Sequence, residues 1–316
     1  MKSKHISISE IALSDETYHY HYHEYDKNPF RRSVQAHGIL TPCLLEESED
    51  AYRIVHGFRR IELANEQDIG EIPALISEKS PLENLKWSLI ENRVQGEFNL
   101  YEQSRVIQVA HNLGAGVSEI TADILPILGL HAHKNVYDEY RGFIRLPQPL
   151  IEFFVSKDTP VSRTQVFQKL SDEGQEIAVE LLEQFSPGIN VLDELLTNLY
   201  EISHRTEKPV AEIYEELDVE TILEEAGQPH IALGEIRQRL QEYRYPVLSE
   251  TNGEIEKLTA QLELGDRVNV NWDKRLENRG INVSFHWEKV KEIERSVARL
   301  SDEETLRLFG RVFKKV

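Results

Sequence analysis

Three short stretches of this 316-residue chain place residue types at spacings that suit phosphate and metal chemistry. The sharpest is Val55-His56-Gly57-Phe58-Arg59-Arg60, an apolar strand, one glycine, and a helix that opens with two arginines. A glycine at a strand–helix junction lets backbone amides approach an anion, and the helix N-terminus adds partial positive charge. Guanidinium groups then donate in pairs to phosphate oxygens. Two solvated arginines opening an exposed helix is the plainer alternative. The second stretch is Glu91-Asn92, closing a helix. It offers two hard oxygens of the kind Mg²⁺ prefers when it also holds phosphates, or it simply caps the helix. The third, Ser33 to Pro42, is a helix, a glycine stop and a strand entry, and it contains Thr41.

Two other features carry less. His19, His21 and His23 alternate with Tyr18, Tyr20 and Tyr22; on a strand, same-face imidazoles stand about 7 Å apart, awkward for three ligands to one ion. A polar edge strand or a loop is expected there. Cys43 is the single cysteine, which excludes an internal disulfide or a multi-cysteine zinc site, and a buried structural role is expected.

The elements that must hold these residues follow from periodicity. Residues 5–13 alternate as a strand, and Phe30 and Val34 sit at helical spacing before the Gly38 stop. Cys43-Leu44-Leu45 and Tyr52 to His56 read as strands, Phe58 to Glu66 as a helix, Ile72 to Ile76 as a third strand, and Leu82 to Asn92 as another helix. This order predicts a small mixed α/β domain ending near residue 115. Helical patterning then continues to about residue 245, broken at Pro147, Pro160, Pro187, Pro209 and Pro229. Beyond a helix at Glu254 to Leu262, the runs Arg267 to Trp272 and Ile281 to Trp287 predict a hairpin, and a last helix runs from Trp287 towards Phe313.

Lys and Arg number 36 against 55 Asp and Glu, a net charge of −19. The acidity is local: residues 171–265 hold 6 basic and 22 acidic side chains, residues 118–170 hold 6 of each, and residues 266–316 hold 12 basic against 9 acidic. Salt confines fields to about 10 Å, so nucleic acid is not excluded by the total and would have to be met by residues 118–170 or the basic end. With 40% hydrophobic residues and no long apolar run, a multidomain, cytoplasmic protein without a membrane partner is expected.

In their order and spacing, the three stretches resemble the N-terminal domain of the ParB family of plasmid and chromosome partition proteins, part of the ParB/sulfiredoxin superfamily. The matches are Ser33 to Pro42, Gly57 to Arg60, and Glu91-Asn92 followed by Phe98 to Glu102. The resemblance implies a CTP switch with Mg²⁺. It places Thr41 near the base, Gly57, Phe58, Arg59, Arg60 and Asn92 around the nucleotide, and Glu91 with Asn92 at the metal. Phe58 stands where the family has Glu, and Gln95 where it has Arg. A sulfiredoxin-like thiol role for Cys43 does not fit, since that cysteine belongs in the Gly57 turn, where this chain has Phe58.

Val117 to Pro147 resembles the family's helix-turn-helix, which implies double-stranded DNA as partner and Lys134, Asn135, Arg141, Arg145 and Arg163 as DNA-binding residues. Such a helix needs cations for phosphates and Asn, Gln or Arg for base edges. The C-terminal hairpin and helix resemble the family's dimerisation domain, which implies a homodimer, a partition ATPase as possible partner, and a nucleoid-associated location. The expected architecture is α+β multidomain: a nucleotide-binding domain (1–115), an all-α domain with the helix-turn-helix (116–205), an acidic helical connector (206–250) and an α/β dimerisation domain (251–316). Two rival readings stay open. One is an enzyme on the same fold, a nuclease or nucleotide-dependent kinase, whereas the CTP switch itself implies at most a slow nucleoside triphosphatase; the other is an acidic protein–protein adaptor without DNA binding.

Overall fold

Short apolar runs separated by turn residues build one four-stranded sheet near the start of the chain. In a computed structural model, which describes residues 2–22, 27–264 and 268–316, the chain divides into two units, Met1–Glu180 and Leu181–Val316. The first contains β1 (Lys2–Ser7), α1 (Lys27–His37), β2 (Cys43–Glu47), β3 (Tyr52–His56), α2 (Phe58–Glu66), β4 (Glu71–Ser77) and α3 (Pro81–Gln95). The sheet order is β1-β4-β2-β3, with β2 and β4 parallel and the two outer pairs antiparallel. Ile6, Leu45, Ile54, Ala74 and Ile76 form a core with Ile61 and Ala64 of α2. Of the residues singled out from the sequence, His23 and Arg267, and the side chains of Phe30 and Gln95, lie outside the described residues.

The pairing of β2 with β3 contains a bulge. Leu45 lies opposite Ile54 and Leu44 opposite His56, so Val55 is the extra residue. A bulge breaks the two-residue alternation and re-aims the side chain beyond it. Strict alternation would point His56 to the same face as Ile54; the bulge instead sets it beside Leu44 and Leu75 on the face towards α3.

The expected strand over residues 5–13 is shorter. It ends at Ser7, and Ile8–Glu10 form a 3₁₀ turn whose Ile8 amide donates to the Gly70 carbonyl at 3.0 Å. The apolar spacing Ile6, Ile8, Ile11 serves burial in both forms, so periodicity alone does not separate them. The Tyr–His run is a loop rather than a strand, and its tyrosines turn inward: Tyr18 and Tyr20 are fully buried. Beyond α3, α4 (Leu100–Asn112) is capped reciprocally by Asn99 and Glu102. α5 (Val117–Glu119), a π-turn at Ile120–Ile124 and α6 (Leu125–Ile127) form one continuous helical stretch. The chain turns at Gly129 and enters α7 (Lys134–Phe143), which packs on α4 through Tyr137, Tyr140 and Phe143. α8 (Gln148–Ser156) and α9 (Gln165–Lys169) follow, and the boundary between units falls inside α10 (Asp172–Phe185).

In the second unit, α11 (Ile189–Thr206), α12 (Val210–Leu217), α13 (Val219–Ala226) and α14 (Pro229–Arg244) bury a stripe of Leu192, Leu195, Leu199, Ile213, Ile222 and Ile236. After α15 (Pro246–Ala260), β5 (Val268–Trp272) and β6 (Ile281–Phe285) pair as an antiparallel hairpin, with Val270 opposite Val283. The final helix is two helices, α16 (Val290–Leu300) and α17 (Glu303–Val312). They are split because the Asp302 side chain accepts from the Thr305 amide and starts a new N-terminus. Among the described residues, no helix is long and apolar enough to cross a membrane.

Candidate functional site

The turn between β3 and α2 is built on a close approach. Gly57 has φ +102°, and a Cβ there would stand 2.9 Å from Cys43 Sγ, so the position admits only glycine without a shift. From the first turn of α2, Arg60 Nη1 donates to the carbonyls of Thr41 (2.7 Å) and Pro42 (2.9 Å). Two of the three sequence stretches are thereby tied together. Cys43 is fully buried beneath this turn, and burial pushes its thiol up to about 11, Arg60 only partly opposing the shift.

α3 brings the third stretch. Ser80 and Glu83 cap it reciprocally around Pro81, and Leu85 and Leu89 anchor it in the core. Near its end the Glu91 carboxylate meets Nε2 of His56, whose Nδ1 lies 3.3 Å from Ser88 Oγ. Ser88 Oγ is 3.0 Å from the Tyr20 hydroxyl, and Asn92 Nδ2 donates to that same hydroxyl. Burial, with the nearby Arg60 and His21, pushes the His56 imidazole down to about 4, so at neutral pH the ring is uncharged. The sequence pattern places His56 and Tyr20 within quoted stretches without pointing to a role for either, and it does not mark Ser88. The available signal for Ser88 was its place one helical turn before Glu91 and Asn92.

His56, Ser88 and Glu91 border an open groove of about 520 Å³ that is also lined by Thr41, Leu44, Leu75 and Trp87. The lining is mainly apolar. Phe58 does not face it: the ring packs on the core and stands edge-on to His19 at 5.0 Å. Glu102, at the start of α4, is pulled two ways. Burial raises its carboxyl, but hydrogen bonds from His21 and the Asn99 amide outweigh this and hold it below the usual range. Among the described residues, no three His, Cys, Asp or Glu side chains gather to hold a metal by themselves. Glu91 and Asn92 supply two adjacent hard oxygens, a donor set that suits Mg²⁺ shared with phosphates rather than a protein-only cage.

The basic residues of the middle segment lie elsewhere. Lys134 and Asn135 are exposed at the start of α7, Arg145 is exposed just beyond its end, and Arg163 is half-buried on the 3₁₀ turn Val161–Thr164. Arg141 is half-buried and donates to the Tyr137 hydroxyl, its guanidinium lying 5.8 Å from that ring's centroid. Glu139, an acid that would oppose phosphate, accepts from Gln165 at 2.8 Å.

Comparison with known proteins decides what this domain is. Residues 2–93 match the family model of the ParB N-terminal domain. They form a ParB N-terminal domain. A chromosome-partitioning protein ParB of Myxococcus xanthus is 29% identical over 72 residues, 23% of this chain and 24% of its own length. A probable plasmid-partitioning protein ParB of Thermus thermophilus is 31% identical over 90 residues, 28% and 30% of the two chains. A nucleoid occlusion protein of Oceanobacillus iheyensis is 24% identical over 164 residues, 51% and 54%. This chain thus matches between about a quarter and about half of these relatives' lengths. Among solved structures, ParB of Caulobacter crescentus complexed to the centromeric parS site aligns at 16% identity and TM-score 0.35, covering 61% of this chain and 98% of that one. The same protein complexed with CTP-gamma-S aligns at 20% and 0.28, covering 58% and 98%. Both TM-scores are below 0.5, so the domain's assignment stands on the sequence match.

The ParB N-terminal domain of this chain seals Cys43 under the Gly57 turn, and that is directly measurable. At pH 8, iodoacetamide is expected to leave the folded protein unlabelled and to label it fully in denaturing urea, as read by intact mass. Rapid labelling of the folded protein would show that the turn is not packed on Cys43.

Proposed function

We propose that the chain is a ParB-like DNA-binding protein, switched by CTP with Mg²⁺ and acting as a homodimer in chromosome or plasmid partition. The observation that supports it most is the groove that Thr41, His56 and Glu91 line together, with Arg60 of the Gly57 turn bonded to the Thr41 carbonyl beside it. In this reading Arg59, Arg60 and the backbone after Gly57 take the phosphates, Thr41 lies towards the base, and Glu91 with Asn92 hold Mg²⁺. The cation would neutralise phosphate charge and fix the ligand's orientation. Arg60 already spends Nη1 on two carbonyls, so its remaining N–H groups serve the phosphates. The four-way division at residues 115, 205 and 250, the nucleoid location and an ATPase partner belong to the same proposal.

Calorimetry with each of the four nucleoside triphosphates and Mg²⁺ tests the site. CTP should bind, and Arg60→Ala should weaken it about ten- to a hundredfold, since a charge-assisted contact is worth about 1.5–3 kcal/mol. Wild-type protein silent to all four nucleotides would end the nucleotide reading.

DNA binding is assigned to α7 and its flanks as the second helix of a helix-turn-helix. With four or five phosphate contacts, log affinity should fall against log salt with a slope of about −4. Lys134→Ala with Arg145→Ala, both exposed, should flatten that slope by about 2 in gel-shift series from about 20 to about 200 mM salt. A double variant that binds duplex as well as wild type would favour the adaptor reading.

Dimerisation is assigned to residues 251–316. Ile255, Leu258 and Val312 form a small core there, while Val290, Ile293 and Val297 stay exposed on one stripe of α16. Sedimentation of the full chain should give a dimer, and Ile293→Glu with Val297→Glu should give a monomer; a wild-type monomer at micromolar concentration counts against it.

A further inference from the structure

Asn92, Tyr20, Ser88, His56 and Glu91 form one continuous chain of polar contacts that begins and ends on the two adjacent residues assigned to the metal. We propose that Tyr20, Ser88 and His56 are positioning residues that set the Glu91 and Asn92 side chains for a divalent cation shared with a phosphorylated ligand. The inference rests on the nucleotide reading above.

Neighbouring residues on a helix project about 100° apart, so Glu91 and Asn92 diverge by default. Ser88 sits three and four positions earlier, on the turn directly beneath both. From there its hydroxyl meets Tyr20 on one side and His56 on the other. Three elements distant in sequence converge on it: the loop before α1, the end of β3 beyond its bulge, and α3. All three middle residues are buried, Tyr20 at 1%, Ser88 at 2% and His56 at 9% exposure.

Asn92 Nδ2 donates to the Tyr20 hydroxyl, the Tyr20 and Ser88 hydroxyls share one hydrogen bond at 3.0 Å, Ser88 Oγ lies 3.3 Å from His56 Nδ1, and His56 Nε2 meets the Glu91 carboxylate. The Tyr20 and Ser88 hydroxyls and His56 Nδ1 thus each find a polar partner away from water. With Nδ2 committed to Tyr20, Asn92 has Oδ1 as its ligand atom. Glu91, whose side chain borders the groove, is held by His56. A stack made only for packing would gain more from apolar side chains at these buried positions, because buried polar chains stabilise only when every member is satisfied.

Such outer partners typically change metal affinity about ten- to a hundredfold when removed. The test titrates the full chain with CTP in Mg²⁺ and again in EDTA, for wild type, Tyr20→Phe and Ser88→Ala. The ratio of the two affinities is the readout, with thermal unfolding recorded alongside. A positioning role predicts that both variants lose about tenfold or more of the Mg²⁺-dependent gain while binding in EDTA stays as in wild type. A merely structural role lowers the unfolding temperature and leaves the ratio unchanged, which overturns the inference and leaves the nucleotide reading standing. If wild type binds no nucleotide at all, both fall. Should Tyr20→Phe not fold, Ser88→Ala, which keeps the tyrosine ring in place, reads the same ratio.

Discussion

The approach of the Gly57 backbone to the Cys43 sulfur is the contact on which the ParB N-terminal domain turns. It lets α2 begin one residue after β3 ends, with the chain in a left-handed conformation that a side chain rarely adopts. With α2 seated this low, Arg60 reaches the carbonyls at the entry to β2 and draws the Ser33–Pro42 stretch against the turn. A methyl group at residue 57 would have to displace a fully buried sulfur, and interiors packed at crystal density have little slack for that.

A buried polar cluster does similar work at the neighbouring strands. Glu46, nearly inaccessible, accepts from Tyr18 (2.7 Å), Asn84 (2.7 Å) and Arg53 (2.9 Å), and Arg53 also reaches Asp15 at 2.7 Å. A buried carboxylate is tolerated when its oxygens are satisfied in this way, and removal of one partner would leave an uncompensated charge. The cluster joins the loop before α1 to β2, β3 and α3. Burial and the Glu46 carboxylate together push the Tyr18 phenol well above its ordinary range, so it remains a donor at any physiological pH. The same loop carries Tyr20 to Ser88, so the order of the loop and the order of the metal-assigned residues have one origin.

Charge plays a smaller part in holding the fold. In the second unit Arg237 pairs with Glu194 at 2.6 Å, Lys208 pairs with Glu212 at 3.1 Å and also with Glu216, and Arg244 pairs with Glu201. Exposed pairs of this kind contribute little, because solvent screens them and ordering two long side chains costs entropy. The leucine and isoleucine stripe beneath them stabilises the unit more, since each buried side chain contributes about 1.5–3 kcal/mol. The excess acid is therefore a surface property, compatible with a locally neutral segment around α7 whose exposed Lys134 and Arg145 set its own field.

Local chemistry made much of this legible from the sequence by itself. The strand and helix order of residues 43–92, the glycine at 57, the proline breaks and the hairpin follow from periods of 2 and 3.6 and from turn residues, while the three stretches were legible through their resemblance to the ParB family. The break at Asp302 is also written locally, as an N-cap, but the apolar spacing continues across it and masks it. Tertiary structure alone decided the rest. One extra residue in the β2–β3 ladder turns His56 from the α2 core towards Glu91, and a Tyr–His alternation that fits either face is resolved by Glu46 and Ser88 waiting inside. Which face a side chain takes depends on the register of a partner far along the chain, and that information is absent from any local window.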